Sequence, residues 1–337
     1  MSVLFLPPGD DPVPAALRGF ARAHADLVTL HDDPVHLTAR HRAEGRRVGL
    51  VSGGGSGHEP MHAGFLGRGM LDAVAPGKVF ASPHNRQVLE ASRAAAGTDG
   101  VIHVVKNYTG DRINFAIAAE RLRHDGIEVR RVLVDDDLAT ESADTATGRR
   151  GTGATVIVEK LLGAAADEGL GLDELAGLGC EFAGASRSLA VAARAQSSLH
   201  TGEPSFDLDP ADLEYGVGIH GERAAKSVAR PPLPELVDRM LDELTAGLPA
   251  GPDELLVLVN GLGGTSLLEL YGVHDLVAEG LGSRGLTVAG ALVGTFVPAI
   301  DMAGFSVTLT RAQPRWLPWW AAPTQTPAFP RTTSEAR

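Results

Sequence analysis

In the first half of the chain, short apolar runs alternate with longer amphipathic segments, and this alternation predicts strands followed by helices. We predict strands at residues 27–30, 48–51, 79–81, 101–105 and 127–134. We predict helices at residues 14–23, 87–96, 112–124 and 154–168. Because this order is typical of βαβ units, we expect residues 1–183 to form a three-layer α/β domain with a parallel sheet.

The second half has a different pattern. We predict helices at 186–195 and 236–246 and strands at 255–259, 286–293 and 305–310. Ser266 and Glu269 have the spacing of a capping box, which predicts that another helix begins there. We therefore expect residues 184–337 to form a second, smaller α/β domain.

Composition narrows the possible functions. The chain has 337 residues, 44% hydrophobic and 21% charged, and a net charge of −12 with no basic block. A nucleic-acid partner is not expected for such a charge. Cys180 is the single cysteine, and no apolar run reaches the roughly 20 residues of a membrane span. With no signal-peptide pattern at the start, we expect a cytoplasmic protein without a membrane segment.

Residues 52–60, SGGGSGHEP, lie between a predicted strand and a predicted helix. Glycines allow a backbone to approach a ligand closely and to turn its N–H groups toward it. A nucleotide phosphate loop is not predicted, because such a loop needs a Gly-Lys-Ser/Thr sequence, and no lysine lies in or near this segment. The segment favours a small polar ligand; a tight turn without a ligand is the alternative.

His58, Glu59 and His62 match the H-E-x-x-H pattern of zinc peptidases. That site needs both histidines on one face of a continuous helix. Gly57 precedes His58, and Pro60 suits a first helical turn better than a helix interior. We therefore predict no metal, with His58 before the helix and His62 inside it in a structural role.

Lys106 and Asp111 stand at the end of a predicted strand and the start of a helix. Asp111 could be the N-cap of the helix or could contact a ligand, and Lys106 could bind a sugar hydroxyl or lie on the surface. Asp135, Asp136 and Asp137 indicate turn and cap chemistry.

Two further segments are candidates for function. The Gly148–Gly153 segment, GRRGTG, could bind an anion or dock a nucleotide-carrying partner. His220 lies between glycines, which would clear space around its imidazole and favour a functional role.

An ordered set of segments covering nearly the whole chain resembles the K subunits of dihydroxyacetone kinases. The segments are LVSGGGSGHEPMHAGFLGRGML, PGKVFASP, VKNYTGD, GRRG, EKLLGAAA, GEPSF, EYGVGIHGE, NGLGGTSLLELYG and DMAGFSVTL. The resemblance implies a homodimer of two-domain α/β chains. It also implies that His220 bonds covalently to the substrate carbonyl, as a hemiaminal. Around the substrate hydroxyls it places Gly55, Ser56, Gly57, His58, Lys106 and Asp111.

The resemblance implies a kinase subunit of glycerol metabolism that presents dihydroxyacetone for phosphorylation. No cofactor is expected on this chain; ADP or ATP with Mg²⁺ is expected on a separate L subunit. The donor would be ATP, or phosphoenolpyruvate through an M protein of the phosphotransferase system. We expect His58 to be the base and Asp111 to orient the hydroxyl, or the reverse.

Two alternatives stay open. The chain could be a ketose-sensing regulatory paralog without catalysis. It could also act on a tetrulose such as erythrulose, because His84, Asn85 and Arg86 follow the Ser-Pro of FASP where family members often have small or acidic residues.

Overall fold

The computed structural model describes residues 4–7, 9–140, 148–199, 201–223 and 226–329. The helices are α1 (Val13–Ala23), α2 (Asn85–Ala95), α3 (Thr109–His124), α4 (Ala154–Asp167), α5 (Leu172–Gly184), α6 (Leu233–Gly247), α7 (Leu267–Ser283) and α8 (Leu317–Ala321). The strands are β1 (Val28–Asp32), β2 (Val35–Ala39), β3 (Val48–Ser56), β4 (Ala73–Val79), β5 (Gly100–Lys106), β6 (Val129–Val134), β7 (Ser186–Arg194), β8 (Asp212–Tyr215), β9 (Lys226–Ala229), β10 (Glu254–Gly261), β11 (Thr287–Gly294) and β12 (Ala303–Arg311).

The described residues form two compact units. We call one the glycine unit, which comprises Leu6–Val134, Thr155–Ala183 and residues 318–329. We call the other the histidine unit, which comprises residues 4–5, Asp135–Ala154 and Gly184–Leu317. Each unit is therefore assembled from separate stretches of chain. The two contiguous domains divided at residue 183 stay a prediction.

The sheet of the glycine unit has six strands in the order β1-β2-β4-β3-β5-β6. The four strands from β4 to β6 are parallel, whereas β1 and β2 form an antiparallel hairpin that adds to the β4 edge. Every residue of β3 and β5 is buried, which is typical of central parallel strands covered on both faces. The sheet is therefore mixed, with a parallel centre.

Helices cover both faces of this sheet. On one face, α2 and α3 pack on a core that includes Val51, Val101 and Val105. Helix α5 packs on the other face. Gly179 of this helix lies so close to Val132 of β6 that a Cβ at position 179 would collide with the valine side chain. Adjacent strand residues point to opposite faces, and Leu133 packs against the α2–α3 core. The unit thus has three layers.

The sheet of the histidine unit has the order β11-β10-β12-β7-β8-β9. Only β10 and β11 pair in parallel; the other neighbours are antiparallel. The apolar residues of α6 and α7 pack with those of β7, β10 and β12 in one core. Both units are therefore α/β, which confirms the predicted fold class.

Most predicted elements are confirmed, but the helix predicted at 186–195 is wrong. The segment Ser186–Arg194, SRSLAVAAR, is strand β7, a central strand between β12 and β8. Alanine has a high helix propensity, so the local sequence of this segment favours a helix. Pairing on both sides overrides that preference, since β-propensity depends on tertiary context.

The strand predicted at 79–81 is also misplaced. Strand β4 ends at Val79 and contains Pro76 and Gly77, residues that argue against a central strand when read locally. The pairing of β3 with β4 is irregular between Gly54 and Ser56, next to that proline. Helices α5 and α8 and strands β2, β8 and β9 were not predicted.

Within the described ranges, no helix combines the length and the hydropathy that crossing a bilayer requires.

Candidate active site

The glycine-rich segment is mostly strand. Strand β3 continues from Val48 to Ser56, so the loop predicted directly after residue 51 is wrong. A Cβ at Gly53 would collide with the Ala75 carbonyl, one at Gly54 with Nζ of Lys106, and one at Gly55 with the backbone of Phe80 and Ala81. Three glycines therefore let other parts of the protein approach the strand.

The predicted binding residues Ser56 and Gly57 stand at the end of this strand. Oγ of Ser56 donates to the Gly77 carbonyl at 2.8 Å. Gly57 has φ of 98°, in the region that favours glycine, and its N–H donates to Oε2 of Glu59 at 2.9 Å. These contacts shape the turn that leads to His58.

His58 is fully buried, and its ring lies 5.2 Å from that of Phe80, centroid to centroid. Phe80 is one of two described non-glycine residues with positive φ, at 56°. The backbone at Phe80 also faces Gly55. Strand β3 and His58 therefore both contact the turn that contains Phe80.

The expected α-helix after His58 is absent: turns lead to a short 3-10 helix, Ala63–Phe65, and His62 is its N-cap residue. His62 thus precedes a helix rather than lying inside one. Pro60 and the glycines at 57 and 64 disfavour a continuous α-helix here.

Lys106 is at the end of β5 and is 1% exposed, so the surface-lysine alternative is wrong. Its Nζ lies 2.7 Å from Nε2 of His62 and 3.3 Å from the Gly53 carbonyl. Oδ2 of Asp111 is 4.0 Å from the same Nζ. Burial lowers the pKa of Lys106, while the charges of Asp111 and Glu159 oppose that change.

Asp111 is the third residue of α3, whose N-cap is Tyr108, so the N-cap interpretation of Asp111 is wrong. The side chain is buried, and its Oδ1 accepts no hydrogen bond from any described residue. A buried carboxylate oxygen without a donor is costly. This oxygen is available to a ligand hydroxyl.

Glu159 of α4 was not predicted as a site residue. Its Oε1 lies 2.6 Å from Nδ1 of His62, and both side chains are buried. Burial raises the pKa of Glu159 to about 8, although the Lys106 charge opposes this rise. Burial and the charge of Lys106 lower the pKa of His62 well below its ordinary value. The sequence signal was a Glu-Lys pair inside an otherwise apolar helix.

His220 lies in the histidine unit, in the loop between β8 and β9, and its side chain is 16% exposed. Nδ1 lies 3.1 Å from Oε1 of Glu222, and the backbone N–H donates to Oε2 of Glu222 at 3.0 Å. A carboxylate can only accept, so the proton of the neutral imidazole is on Nδ1. The lone pair of the neutral ring is then on Nε2.

The glycines around His220 have a different role from the predicted one. A Cβ at Gly218 would collide with the Glu222 carboxylate, and one at Gly221 with the Gln196 side chain. The glycines admit these two side chains rather than clear space around the imidazole. Glu222, like Glu159, was missed by the sequence reading.

The charge of Glu222 is stabilised by its neighbours. Burial would raise the pKa of this carboxyl, but the His220 hydrogen bond and charge, followed by the Arg150 charge, lower it to about 2. Arg150 lies 3.9 Å from Glu222, pairs with Asp137 at 2.6 Å and donates to the Gly216 carbonyl at 3.0 Å. Arg150 thus contacts the loop on both sides of His220.

The acidic run contributes caps, as predicted. Asp136 accepts hydrogen bonds from the backbone N–H groups of Thr152 and Ala154, at the start of α4. Burial raises the pKa of Asp137 to about 6, although the positive charge of Arg150 lowers it. Among the described side chains, no group of three or more histidines, cysteines and acids could hold a metal ion.

Comparison with known proteins gives the family. The family model described as the Dak1 domain matches residues 18–328. The chain belongs to the Dak1 family.

Among Dak1 relatives, the chain is 39% identical over 339 residues to the PEP-dependent dihydroxyacetone kinase, dihydroxyacetone-binding subunit DhaK, of Escherichia coli (strain K12). The alignment covers 93% of this chain and 95% of that relative.

Two solved structures share the fold. The dihydroxyacetone kinase of C. freundii in complex with AMP-PNP and Mg²⁺ matches with a TM-score of 0.89 and 33% identity, over 98% of this chain and 61% of that one. The dihydroxyacetone kinase operon co-activator Dha-DhaQ matches with a TM-score of 0.90 and 30% identity, over 96% of this chain and 100% of that one.

The residues behind the tetrulose alternative have local partners in this Dak1 chain. Nδ1 of His84 accepts from the backbone N–H of Arg86 at 3.2 Å, at the N-cap of α2. The backbone N–H of Asn85 donates to Asn114 at 3.1 Å. His84 therefore caps α2, and Asn85 connects α2 to α3.

Proposed function

We propose that this chain is the ketose-binding subunit of a dihydroxyacetone kinase, and that His220 captures the ketose covalently. The observation that carries the proposal is the His220–Glu222 pair, which fixes the imidazole as an Nδ1–H tautomer with Nε2 as the nucleophile. Membership of the Dak1 family supports the same role.

In the capture step, the Nε2 lone pair bonds to the carbonyl carbon and the carbonyl π pair moves to oxygen. The imidazolium that forms is stabilised by the ionised Glu222, 3.1 Å from Nδ1. The new alkoxide takes a proton from solvent, and Nδ1 keeps its own proton toward Glu222, so the product is a hemiaminal whose imidazolium charge is balanced by the Glu222 carboxylate. Fixing a small, flexible substrate makes the later transfer nearly intramolecular.

The substrate hydroxyls would meet Gly55, Ser56, Gly57, His58, Lys106 and Asp111. The buried Oδ1 of Asp111 accepts a hydrogen bond from a substrate hydroxyl, and Lys106 donates one to a substrate oxygen. His58 takes the proton of the hydroxyl that attacks phosphorus, with Asp111 orienting that hydroxyl. The opposite assignment of these two residues is the alternative.

The phosphoryl donor would be supplied by a partner. The sequence holds no lysine-containing phosphate loop. ADP or ATP with Mg²⁺ on a separate L subunit would provide the phosphoryl group, and an M protein would recharge ADP where phosphoenolpyruvate is the donor. No cofactor resides on this chain in the proposal.

We also propose a cytoplasmic homodimer. The single thiol, Cys180, is exposed, which suits a reducing compartment. Leu267, Leu268 and Tyr271 at the start of α7 are exposed, and β11 is an edge strand. Exposed apolar groups and open edges favour association. Light scattering of the purified protein would test this by its mass.

Intact-protein mass spectrometry with dihydroxyacetone tests the main proposal. The expected result is a gain of one ketose per wild-type chain and no gain with glycerol, which has no carbonyl. Absence of any ketose binding would contradict the proposal.

A ketose sensor without catalysis is the second candidate, favoured by the likeness to the operon co-activator. Both candidates bind ketose, so the adduct does not separate them. Phosphorylation assays with an L subunit do: turnover of dihydroxyacetone supports the kinase, and an adduct without turnover by any L subunit supports the sensor. Erythrulose in parallel assays tests the tetrulose alternative.

A further inference from the structure

A chain of buried polar groups lies behind strand β3 in the glycine unit, and the proposed mechanism uses only one end of it. Oε1 of Glu159 is 2.6 Å from Nδ1 of His62. Nε2 of the same ring is 2.7 Å from Nζ of Lys106. Asp111 follows, 4.0 Å from Nζ. All four side chains are buried.

Chemistry fixes the direction of these hydrogen bonds. An ammonium group only donates, so Nε2 of His62 accepts from Lys106. The imidazole proton is therefore on Nδ1 and points to Glu159. Oγ of Ser52, 3.1 Å from Nδ1, donates to the Val104 carbonyl at 2.9 Å and so faces the ring as an acceptor.

The hydrogen bond to His62 and the surroundings of Lys106 leave its ammonium group little freedom to move. Its Nζ also donates to the Gly53 carbonyl at 3.3 Å, and it lies so close to Gly54 that a Cβ there would collide with it. Lysine otherwise loses considerable rotamer entropy when it is ordered for a ligand. A lysine held in advance binds a ligand without that loss.

We propose that Glu159 and His62 are positioning residues that fix Lys106 for the ketose. Glu159 holds the His62 ring with its proton on Nδ1, and Nε2 then holds Lys106. The inference rests on the proposed function, because Lys106 is assigned there to a substrate oxygen. Neither Glu159 nor His62 touches the substrate in this arrangement.

A double-mutant cycle tests this, with dihydroxyacetone affinity measured by calorimetry. Glu159→Met should weaken affinity by about fivefold, the effect of losing one hydrogen bond of about 1 kcal/mol. Lys106→Met should weaken it at least as much, and the double variant should be no weaker than Lys106→Met alone. Glu159→Gln, whose amide oxygen can still accept from Nδ1, should keep affinity within about twofold.

Lys160 provides the matched control. It is a buried lysine that follows Glu159 in α4. Its Nζ donates to the Trp319 carbonyl at 2.6 Å and not to His62 or Lys106. Lys160→Met should leave ketose affinity unchanged even where it lowers stability.

A second experiment needs no ketose: the rate at which acetic anhydride acetylates Lys106 is measured by peptide mass spectrometry. The rate should rise several-fold in Glu159→Met but not in Lys160→Met, because only the first releases Lys106. Additive losses in the double variant, or unchanged labelling in Glu159→Met, would overturn the inference. A wild type that binds no ketose would instead overturn the proposed function, and the labelling would still decide whether Glu159 fixes Lys106.

Discussion

One carboxylate, Glu222, holds both the ring and the backbone of His220: Oε1 lies 3.1 Å from Nδ1, and Oε2 accepts the backbone N–H at 3.0 Å. The pKa of Glu222, lowered to about 2, keeps it ionised near neutral pH. An acceptor at Nδ1 leaves one tautomer for the neutral imidazole, with its proton on Nδ1. Glu222 thus sets the orientation of the His220 imidazole.

Glu222→Gln should weaken dihydroxyacetone binding by about tenfold, since an amide cannot accept from both the ring and the backbone N–H with equal strength. Glu222→Leu should weaken it further. Calorimetry would measure both. Glu243→Gln, which alters an exposed pair with Arg239, is the control and should bind like wild type. Equal affinity in all three variants would show that Glu222 does not orient His220.

Mass spectrometry should separate capture from transfer. His220→Ala should lose the ketose adduct and much of the preference for ketose over glycerol. His58→Ala and Asp111→Asn should keep the adduct but lose phosphoryl transfer with an L subunit, because they act after capture. An adduct that persists in His220→Ala would mean that another residue is the nucleophile.

Gly54→Ala should lower both stability and ketose affinity, because its Cβ would collide with Nζ of Lys106. Overpacking of this kind costs about 1–3 kcal/mol. Gly177→Ala is the matched control: it lies within α5, and its Cβ would meet nothing within 4 Å. It should stabilise the protein by up to about 1 kcal/mol. Urea unfolding measures both changes, and equal midpoints would exclude the collision.

The contribution of Glu159 to stability should fall as pH rises from about 4.5 to about 8. Its pKa is near 8 in the folded protein against 4.5 as the ordinary value, so in this window the folded state holds the extra proton. The slope from one group is at most about 1.4 kcal/mol per pH unit.

Glu159→Gln should remove this contribution, whereas that of Asp137, between 3.8 and about 6, should remain. Unfolding free energies of both proteins across this range would show the difference. Parallel curves would mean that Glu159 titrates normally.

Purified protein should carry no stoichiometric zinc. The two ring nitrogens of His62 already face Glu159 and Lys106, so this histidine cannot join His58 on one ion without breaking both contacts. Elemental analysis would measure the metal content. One zinc per chain that disappears in His58→Ala would contradict this expectation.

Local pattern was sufficient where an element carried its own signal. The capping box of Ser266 and Glu269 opens α7 as predicted. The apolar runs at β5 and β10 fall where the periodicity placed them. Strand β7 was mistaken for a helix, because its alanines become a strand only through the partners on both sides.

The candidate site shows the same limit. His58, Lys106, Asp111 and His220 stand out through their motifs. Glu159 and Glu222 do not, because their importance comes from what they touch. Glu159 is 97 residues from His62 in the sequence, and no local pattern predicts that contact.

The interleaving of the two units determines how the molecule could be divided. Two fragments cut at residue 183 would each lack part of a unit. The second would lack Asp135–Ala154, and the first would lack residues 318–329, which belong to the same unit as Lys160. The Trp319 carbonyl, which accepts from Lys160, would leave with them. A dissection at this point would thus deprive α4 of a partner, and coexpression of both fragments would be needed to restore it.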